Sequence, residues 1–269
     1  MTNLLFSGMR RTLLYLSLLL LAGVASAQDT ARVEQPGLSV FTVDVGYASI
    51  HDTYLTPITY DGFDLALGYE AMHAARFSPQ CWLWQLQAGL DYNYVENPSQ
   101  LNDMHKVMAE LVFDMQRRWC GVGNRRLDLS VGPMMQLRAG AVYNPANSNN
   151  TVTARGFWNL GATGMAAWHA RLWRKPLTLR YQVQLPVAGV FFAPEYDESY
   201  YEIYLGNHRN LAHLGWWGNR LDMTHYLGVD LHLGGTILRL GYRARMEHWN
   251  VNHLKVHDVS HSIVLGIGQ

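Results

Sequence analysis

One stretch of the chain alternates between apolar and polar side chains almost without interruption. It covers residues 176–190. Leu179 and Val183 stand at odd-numbered positions, and Arg180 and Gln182 stand at the even-numbered positions between them. Because successive side chains of a β-strand point to opposite faces, this strand has one apolar face and one polar, even charged, face. Such a strand fits a wall that separates an apolar exterior from a wet interior.

The same alternation recurs along the chain in segments near the length that a tilted membrane strand requires. About ten candidate strands lie at residues 38–49, 59–72, 81–94, 104–117, 126–142, 152–172, 176–190, 221–233, 236–246 and 254–267. Repeated around a closed sheet, the pattern predicts an all-β fold, a transmembrane, antiparallel, up-and-down β-barrel in an outer membrane. Twelve strands are the alternative, because Tyr200–Tyr204 could form the edge of a further strand pair.

The connections between these strands sort into two kinds. Short connections with turn residues lie around 77–79, 121–124, 174–176 and 234–235, and longer ones around 50–58, 95–103, 143–151, 191–220 and 247–253. Outer-membrane barrels have short periplasmic turns and long extracellular loops. The alternation therefore predicts an even number of strands with both termini in the periplasm.

Aromatic residues occupy both ends of the predicted strands. In the third strand, Trp82 and Trp84 lie near the short turn, and Tyr92 and Tyr94 lie near the long loop. Rings with a polar tip favour the boundary between lipid and water. A soluble β-sandwich or a lipocalin-like barrel is the alternative, and in either fold the apolar face would turn inward.

The N-terminal segment has the pattern of a secretory signal peptide. Arg10 and Arg11 precede the leucine-rich run 13–21, and Ala25-Ser26-Ala27 supplies small residues for cleavage. That run is too short for a membrane anchor. We therefore predict a signal peptide at 1–27 and a single barrel domain at 28–269. The 21 basic and 21 acidic residues cancel, which argues against an electrostatic binder of nucleic acid.

Charged residues lie at inward positions of the predicted strands, acidic ones early in the chain and arginines later. The acids are Asp44, Asp64, Glu70, Glu110, Asp114 and Asp128, and the arginines are Arg180, Arg239, Arg243 and Arg245. In a closed sheet these side chains lean toward one another across the lumen. A structural network of salt bridges is one interpretation, and a narrow polar conduit for a small solute is the other.

Two cysteines flank one predicted hairpin at similar distances from its loop centre. Cys81 opens the third strand and Cys120 follows the fourth, which places both at the short-turn rim. Since an exported protein meets an oxidising periplasm, we predict a disulfide between them. Two unrelated small residues at a crowded rim are the alternative.

The longest loop carries an acidic, aromatic segment, and we predict that it is a plug or a recognition element. Its candidate residues are Phe191, Phe192, Pro194, Glu195, Tyr200, Tyr201 and Glu202. This segment, with Leu238–Arg243 and Ile263–Ile267, resembles an uncharacterised family of Bacteroidetes-type exported proteins, catalogued as domain of unknown function 3316. The resemblance implies the fold and the location, and it implies no activity.

Residues that could support catalysis or bind metal are poorly arranged. A lipid A or phospholipid acyl hydrolase is the alternative function, and it would use a serine and a histidine. The candidates are His261 with Ser262, or Ser199 with His208 or His213 and Glu195. His261 and Ser262, however, project to opposite faces of a strand. His253, His257 and His261 would stand about 13 Å apart on a strand, too far for one ion. We therefore predict a non-enzymatic protein with no cofactor and no metal. The expected partners are outer-membrane lipid, lipopolysaccharide and the barrel assembly machinery.

Overall fold

The computed structural model describes residues 37–122, 126–147, 150–194, 200–206 and 211–269. Strands dominate these residues, and one short helix interrupts them. The strands are β1 (Leu38–Asp52), β2 (Thr59–Ala74), β3 (Trp82–Glu96), β4 (Asp103–Trp119), β5 (Leu127–Tyr143), β6 (Val152–Leu172), β7 (Lys175–Phe192), β8 (Ala212–Trp216), β9 (Arg220–Leu233), β10 (Thr236–Val251) and β11 (Leu254–Gly268), and the helix is α1 (Tyr200–Tyr204).

Ten of these strands close into an antiparallel barrel. Consecutive strands pair from β1 to β7, then β7 pairs with β9, β9 with β10 and β10 with β11. The ring closes because β11 returns to β1 from Val40↔Gly268 to Asp52↔Val256. The short strand β8 adds only to the end of β7, from Phe192↔Ala212 to Ala188↔Trp216.

All ten predicted strand segments lie within or beside the observed barrel strands, so the predicted fold class is confirmed. The alternative of twelve strands is wrong: Tyr200–Tyr204 forms the single turn of α1 and not a strand edge. One connection also differs from the prediction. β10 and β11 extend to a two-residue turn at Asn252 and His253, both with positive φ (51° and 62°), in place of the expected long loop. Two such residues match the twist of a tight hairpin.

The two ends of the barrel carry different connections, and we call them the turn rim and the loop rim. The turn rim carries the β2–β3, β4–β5, β6–β7 and β9–β10 connections, and both ends of the described barrel domain lie there. The loop rim carries the other connections, including the longest one, between β7 and β9. Tight turns at the turn rim include Trp173 and Arg174, whose φ values are 46° and 68°.

The barrel is apolar outside and polar inside. In β1, Phe41 and Val43 are 66% and 42% exposed, whereas their neighbours Thr42 and Asp44 are 6% and 1% exposed. A soluble barrel would bury the apolar residues, so that alternative is wrong. An exposed apolar belt around a polar interior is the architecture of an outer-membrane β-barrel, which places the protein in that membrane. Among the described residues, no helix is long and apolar enough to cross a bilayer.

Candidate functional site

The lumen is crossed by hydrogen bonds between strands on opposite sides of the ring. β2 and β7 are half the ring apart, yet the guanidinium of Arg180 binds both carboxylate oxygens of Glu70, with Nη2–Oε2 at 2.8 Å. Arg239 Nη1 contacts the same Glu70 Oε2 at 2.8 Å and also binds Asp230 at 2.7 and 2.9 Å. The ring of Tyr226 lies beside both guanidiniums. Glu70 on β2 therefore joins Arg180 from the opposite wall to Arg239 on β10, which lies three strands away around the ring.

A second group of charges fills the lumen closer to the loop rim. Arg138 Nη1 lies 2.9 Å from Glu247 Oε2. Its Nη2 lies 3.7 Å from Asp91 Oδ2, and its Nε lies 3.7 Å from Glu110 Oε1. Arg245 binds Asp91 and lies 3.4 Å from Glu110. These five side chains come from β3, β4, β5 and β10. Apart from Arg138–Glu110 on neighbouring strands, their pairs tie together strands that are not neighbours.

Further pairs continue this pattern. Lys106 Nζ lies 2.7 Å from Asp258 Oδ2, and Arg155 binds Asp52, which is fully buried. Arg243 lies 2.5 Å from Asp44. Cations and carboxylates thus meet at successive heights along the barrel axis.

Amide side chains occupy the space between the charges. Gln182 Nε2 donates to Gln85 Oε1 at 2.7 Å, and Gln184 donates to Gln87 at 2.9 Å, both from β7 to β3 across the lumen. Neutral amides bridge these positions without adding charge. They leave little room for water between the two sides.

Two predicted network members lack a cation. Asp64 accepts hydrogen bonds from Asn93 Nδ2 at 2.5 Å and from Ser262, and Asp114 accepts one from Gln116 at 2.8 Å. Neither aspartate makes an ion pair with any residue that the structure describes. Of the predicted lumen residues, Glu70, Arg180 and Arg239 share one cluster, and Glu110 and Arg245 share another.

Small cavities remain within the lumen. One has a volume of about 40 Å³ and lies among Asp64, Lys106, Arg138 and Asp258. A second, of about 30 Å³, lies beside Glu70. Since a water molecule needs roughly 10–15 Å³ measured in this way, these spaces hold a few waters each. Both lie between charged and polar side chains that fill the lumen, and Thr224 and Arg245 line both of them.

An apolar cluster seals the lumen at each rim. At the turn rim the cap consists of inward-facing residues, namely Leu38, Val40, Met72, Leu83, Met165 and Ile237. At the loop rim, a larger cap joins strand residues to Tyr54 and Leu55 of the β1–β2 connection. Its bulky strand members are Ile50, Tyr60, Met104, Met108, Phe157, Phe191 and Trp249.

Guanidiniums underlie the loop-rim cap. Arg220 lies over the rings of Phe157 and Phe191, with its central carbon 4.0 and 5.2 Å from their centroids. Arg155 lies 5.1 Å from the Trp249 centroid. The cap is therefore anchored by cation–π contacts to the charged layer beneath it.

The candidate loop residues are distributed differently from the expectation. Phe191 is the last inward residue of β7 and packs on Trp249 at 5.5 Å between centroids, whereas Phe192 points to the other face. Pro194 is buried just beyond the strand, and Tyr201 is 69% exposed on α1. Glu202 is exposed on the same helix. Glu195 and the side chain of Tyr200 lie outside the described residues.

A polar cluster lies inside the turn rim around Asp128. Its carboxylate binds Arg118 at 2.7 Å and lies 3.3 Å from His169 Nε2. Thr178 Oγ1 lies between His169 and His232, at 3.3 and 3.5 Å. Asp128 is thus a local partner of neighbouring strands and does not reach across the lumen.

Both cysteines are free thiols in the structure. The carbonyl of Cys81 accepts from the backbone N–H of Arg118, so Cys81 lies opposite a residue two positions before Cys120. Such diagonal neighbours have Cα atoms about 7–8 Å apart, at or beyond the reach of a disulfide. The bridge is absent here and stays a prediction.

The residues considered for catalysis do not meet. His261 faces outward beside Tyr242, and Ser262 faces inward toward Asp64. His213 Nε2 lies 3.0 Å from the carbonyl oxygen of Ala193. Ser199 and His208 lie outside the described residues. Within the described part of the chain, no group of three ligating side chains could hold a metal ion.

Three outward-facing histidines share one arrangement that the sequence did not suggest. The Tyr92, Tyr181 and Tyr242 hydroxyls lie 2.8, 2.8 and 2.6 Å from Nδ1 of His105, His225 and His261. In each pair, the histidine is on the adjacent strand, diagonally displaced toward the loop rim. The pairing satisfies polar atoms in the lipid-facing belt.

Several lumen residues were missed by the sequence analysis. They are Asp52, Asp91, Lys106, Arg138, Arg155, Arg220, Asp222, Asp230, Glu247 and Asp258. Their inward positions follow the same two-residue alternation, so that signal was available. Their partners depend on which strands face each other after closure.

Comparison with known proteins identifies a family. A family model described as "Protein of unknown function (DUF3316)" matches residues 12–269, which confirms the resemblance noted from the sequence. No curated protein matches the chain.

Several solved structures are similar to the chain. The transport unit of the autotransporter AIDA-I from Escherichia coli is 9% identical, with 94% of this chain and 96% of that chain covered and a TM-score of 0.40. The translocator domain of autotransporter NalP from Neisseria meningitidis is 9% identical, with 97% and 94% covered and a TM-score of 0.36. An outer membrane channel from Pseudomonas putida F1 is 7% identical, with 91% and 100% covered and a TM-score of 0.34. At these TM-scores the likenesses carry no argument about this chain.

Proposed function

The chain belongs to the DUF3316 family of unknown function, and we propose that it is a closed, non-conducting outer-membrane barrel that acts as a recognition protein through its loop rim. In this proposal, residues 1–27 are removed as a signal peptide and the loop rim faces outside. The long connection between β7 and β9 is the recognition element, and no chemistry is assigned to the lumen.

The observation that carries the proposal is the filled lumen. Glu70 and Arg180 meet across the full width of the ring, and Gln85 and Gln182 meet beside them. A side chain that reaches its partner from the opposite wall occupies the path that a solute would take. Open aqueous channels come with about sixteen or more strands, and this barrel has ten.

The two apolar caps support the same interpretation. The lining of a conduit for polar solutes is expected to be polar at its mouths, whereas Trp249 and Phe191 bury their rings at the loop rim. Both are at most 1% exposed. Since strand residues make most of this cap, the seal does not depend on the long loop.

The loop rim offers exposed apolar side chains beyond the lipid-facing belt. Leu101, Tyr201 and Leu205 are 82%, 69% and 65% exposed, and all three lie in connections at this rim. Tyrosine is favoured in binding surfaces because it provides a large contact area at low entropic cost. This surface supports a role in recognition of a molecule outside the cell.

Conductance in planar bilayers tests the closed state. We expect no unitary conductance from the refolded protein, and none after deletion of residues 196–210, because the cap is built from the strands. The positive control is a variant in which Trp249, Phe191, Glu70 and Arg180 are all replaced by alanine. It lacks both the loop-rim rings and the pair that crosses the lumen, so it should conduct a measurable current if it assembles. Steady single-channel current from the wild-type protein would instead favour a narrow pore.

The recognition role is tested separately with the same deletion. Intact bacteria that display the wild-type protein or the deletion variant can be compared for adhesion to surfaces coated with lipopolysaccharide or with host matrix protein. We expect the deletion to abolish any adhesion that the wild type confers, while gel mobility still shifts on heating. Lipid profiles that change with the wild-type protein would point to a hydrolase and contradict the proposal.

A further inference from the structure

The barrel wall has a gap in its hydrogen-bond ladder. β7 pairs with β9 as far as Gln184↔Thr224, and pairing on that side resumes with β8 at Ala188↔Trp216. In the described register, residues 185–187 of β7 therefore have no strand partner on that side. On the other side, the pairing with β6 shifts at Leu160 and Gly161, so the wall is irregular on both sides of Pro186.

We call this gap, at residues 185–187 of β7, the β7–β9 seam. A compact turn at residues 216–219 covers it. Trp216 and Asn219 bond each other twice, through Asn219 N to Trp216 O and Trp216 N to Asn219 Oδ1, each at 2.9 Å. Trp217 Nε1 donates to the carbonyl of Pro186 at 2.9 Å, directly across the seam. The turn is also held by the β7–β8 pairing that ends at Trp216 and by the bond from Asn250 N to Asn219 O at 2.8 Å. Across residues 185–187 themselves, the contact among the described residues is the indole bond to Pro186.

Unpaired polar atoms lie immediately behind the turn. Arg220 is 5% exposed and binds Asp222 through Nη2, but its Nε and Nη1 have no hydrogen-bond partner. Asp222 Oδ1 also has none. Buried polar atoms without partners are rare and costly, so this pair calls for an explanation.

A small cavity connects the seam to this pair. It has a volume of about 10 Å³ and is lined by Pro186, Val187, Gly215, Trp216, Arg220 and Asp222, among others. That volume corresponds to roughly one water molecule. Pro186 and Asp222 also line the lumen cavity of about 40 Å³, so the seam is the partition between the lumen and the outer surface.

The outer side of the seam is apolar and strongly exposed. Leu214, Trp216 and Trp217 are 76%, 63% and 56% exposed, and Val187 is 41% exposed. Trp158 lies on β6 opposite Val190 and is 45% exposed. Indole rings at this height belong to the boundary between lipid and water.

We propose that the β7–β9 seam is a lateral docking site for a single-chain amphiphile whose hydroxylated head group binds Arg220 and Asp222. The ion pair is neutral as a whole and offers two unused donors and one unused acceptor. A hydroxyl group both accepts and donates, so it satisfies these atoms, whereas a carboxylate or an ammonium group satisfies only one kind. The acyl chain then lies along Val187, Leu214 and Trp216 in the outer leaflet.

Photolabelling tests the proposal on the refolded mature protein in phosphatidylcholine vesicles. The probe is a monoacylglycerol with a diazirine in its chain, and the matched control is its dimethyl ether, which cannot donate. We expect labelled peptides to cover residues 185–190 and 212–217, with about tenfold more label from the monoacylglycerol than from the ether. If dodecyl maltoside lowers the labelling more than unlabelled monoacylglycerol does, the site prefers a sugar head group. If only unlabelled monoacylglycerol lowers the labelling, the site prefers glycerol.

Variants make the test specific. Arg220→Met should lower the seam labelling to the level of the ether control. Trp217→Phe, which removes only the bond to Pro186, should raise it, while Trp173→Phe at the turn rim should leave it unchanged. If Arg220→Met does not assemble, the ether comparison and Trp217→Phe still decide. Equal labelling by both probes, or labelling spread evenly around the belt, would overturn the proposal.

Discussion

Replacing Glu70 with glutamine should destabilise the barrel strongly, because this one carboxylate pairs with two buried arginines. Glu70 is the only carboxylate within ion-pair distance of Arg180 among the described residues, and it also binds Arg239. The side chains of Glu70, Arg180 and Arg239 are 6%, 3% and 0% exposed, so water does not replace the lost charge. The substitution keeps the volume and leaves no cavity.

The magnitude follows from what each arginine retains. Arg180 loses its carboxylate partner altogether, and removal of one partner from a buried ion pair costs about 3–5 kcal/mol. Arg239 keeps Asp230, with bonds of 2.7 and 2.9 Å, so its share of the loss is small. By the same reasoning Asp230→Asn should cost less, about 1–3 kcal/mol, because Arg239 then keeps Glu70.

Equilibrium unfolding in urea, with the protein inserted in thin phosphatidylcholine vesicles and followed by tryptophan fluorescence, measures both changes. Arg180→Met and the double variant with Glu70→Gln complete a cycle that isolates the interaction between the two residues. We expect the double variant to be more stable than Glu70→Gln alone, since methionine removes the unpaired guanidinium. A loss below about 1 kcal/mol for Glu70→Gln, or a larger loss for Asp230→Asn, would refute the reasoning.

Three further outcomes are expected. Ile263→Arg, near the middle of the apolar belt, should lower the free energy of unfolding by about 2–4 kcal/mol in the same urea assay. Ile267→Arg at the turn rim should lower it by only about 0–1 kcal/mol. Equal losses would contradict the depth assigned to these two residues. Tyr242→Phe should cost about 1–3 kcal/mol in that assay because it leaves Nδ1 of His261 without its partner in lipid, and no change would mean that the pair is solvated. Thiol titration of unreduced, denatured protein distinguishes the two states of the cysteines: none free means a Cys81–Cys120 bridge in the exported protein, and two free means the geometry seen here.

The wall of the barrel was predictable from the sequence because strand formation is local. Alternation at period two assigns each side chain to a face, and the exposed Phe41 beside the buried Thr42 follows that assignment. The β10–β11 turn was missed because Asn252 and His253 lie within a polar stretch that looks like a loop. Their left-handed backbone lets both strands continue almost to the tip.

The pairing inside the lumen was not predictable to the same degree. Alternation places Glu70 and Arg180 inside, but their contact depends on β2 and β7 lying half a ring apart, which only the closed ten-strand ring determines. The caps were missed for a related reason. Inward apolar residues such as Met104 and Trp249 come from distant strands and form a cluster only at the common rim.

The same closure limits how the protein can work. A conduit along the axis would require at least the Glu70–Arg180, Arg138–Glu247 and Lys106–Asp258 pairs to separate. If the separated charges stayed out of water, each separation would cost about 3–5 kcal/mol, which is about 9–15 kcal/mol for the three pairs. A ligand that binds one state about 10⁴-fold more tightly than the other supplies only about 5.5 kcal/mol. Binding at the rim therefore does not supply enough free energy to open the lumen by itself. At the β7–β9 seam, by contrast, an indole bond is the contact among the described residues that crosses the gap in the ladder. Surface and lateral binding are thus the functions that this interior permits without separating its ion pairs.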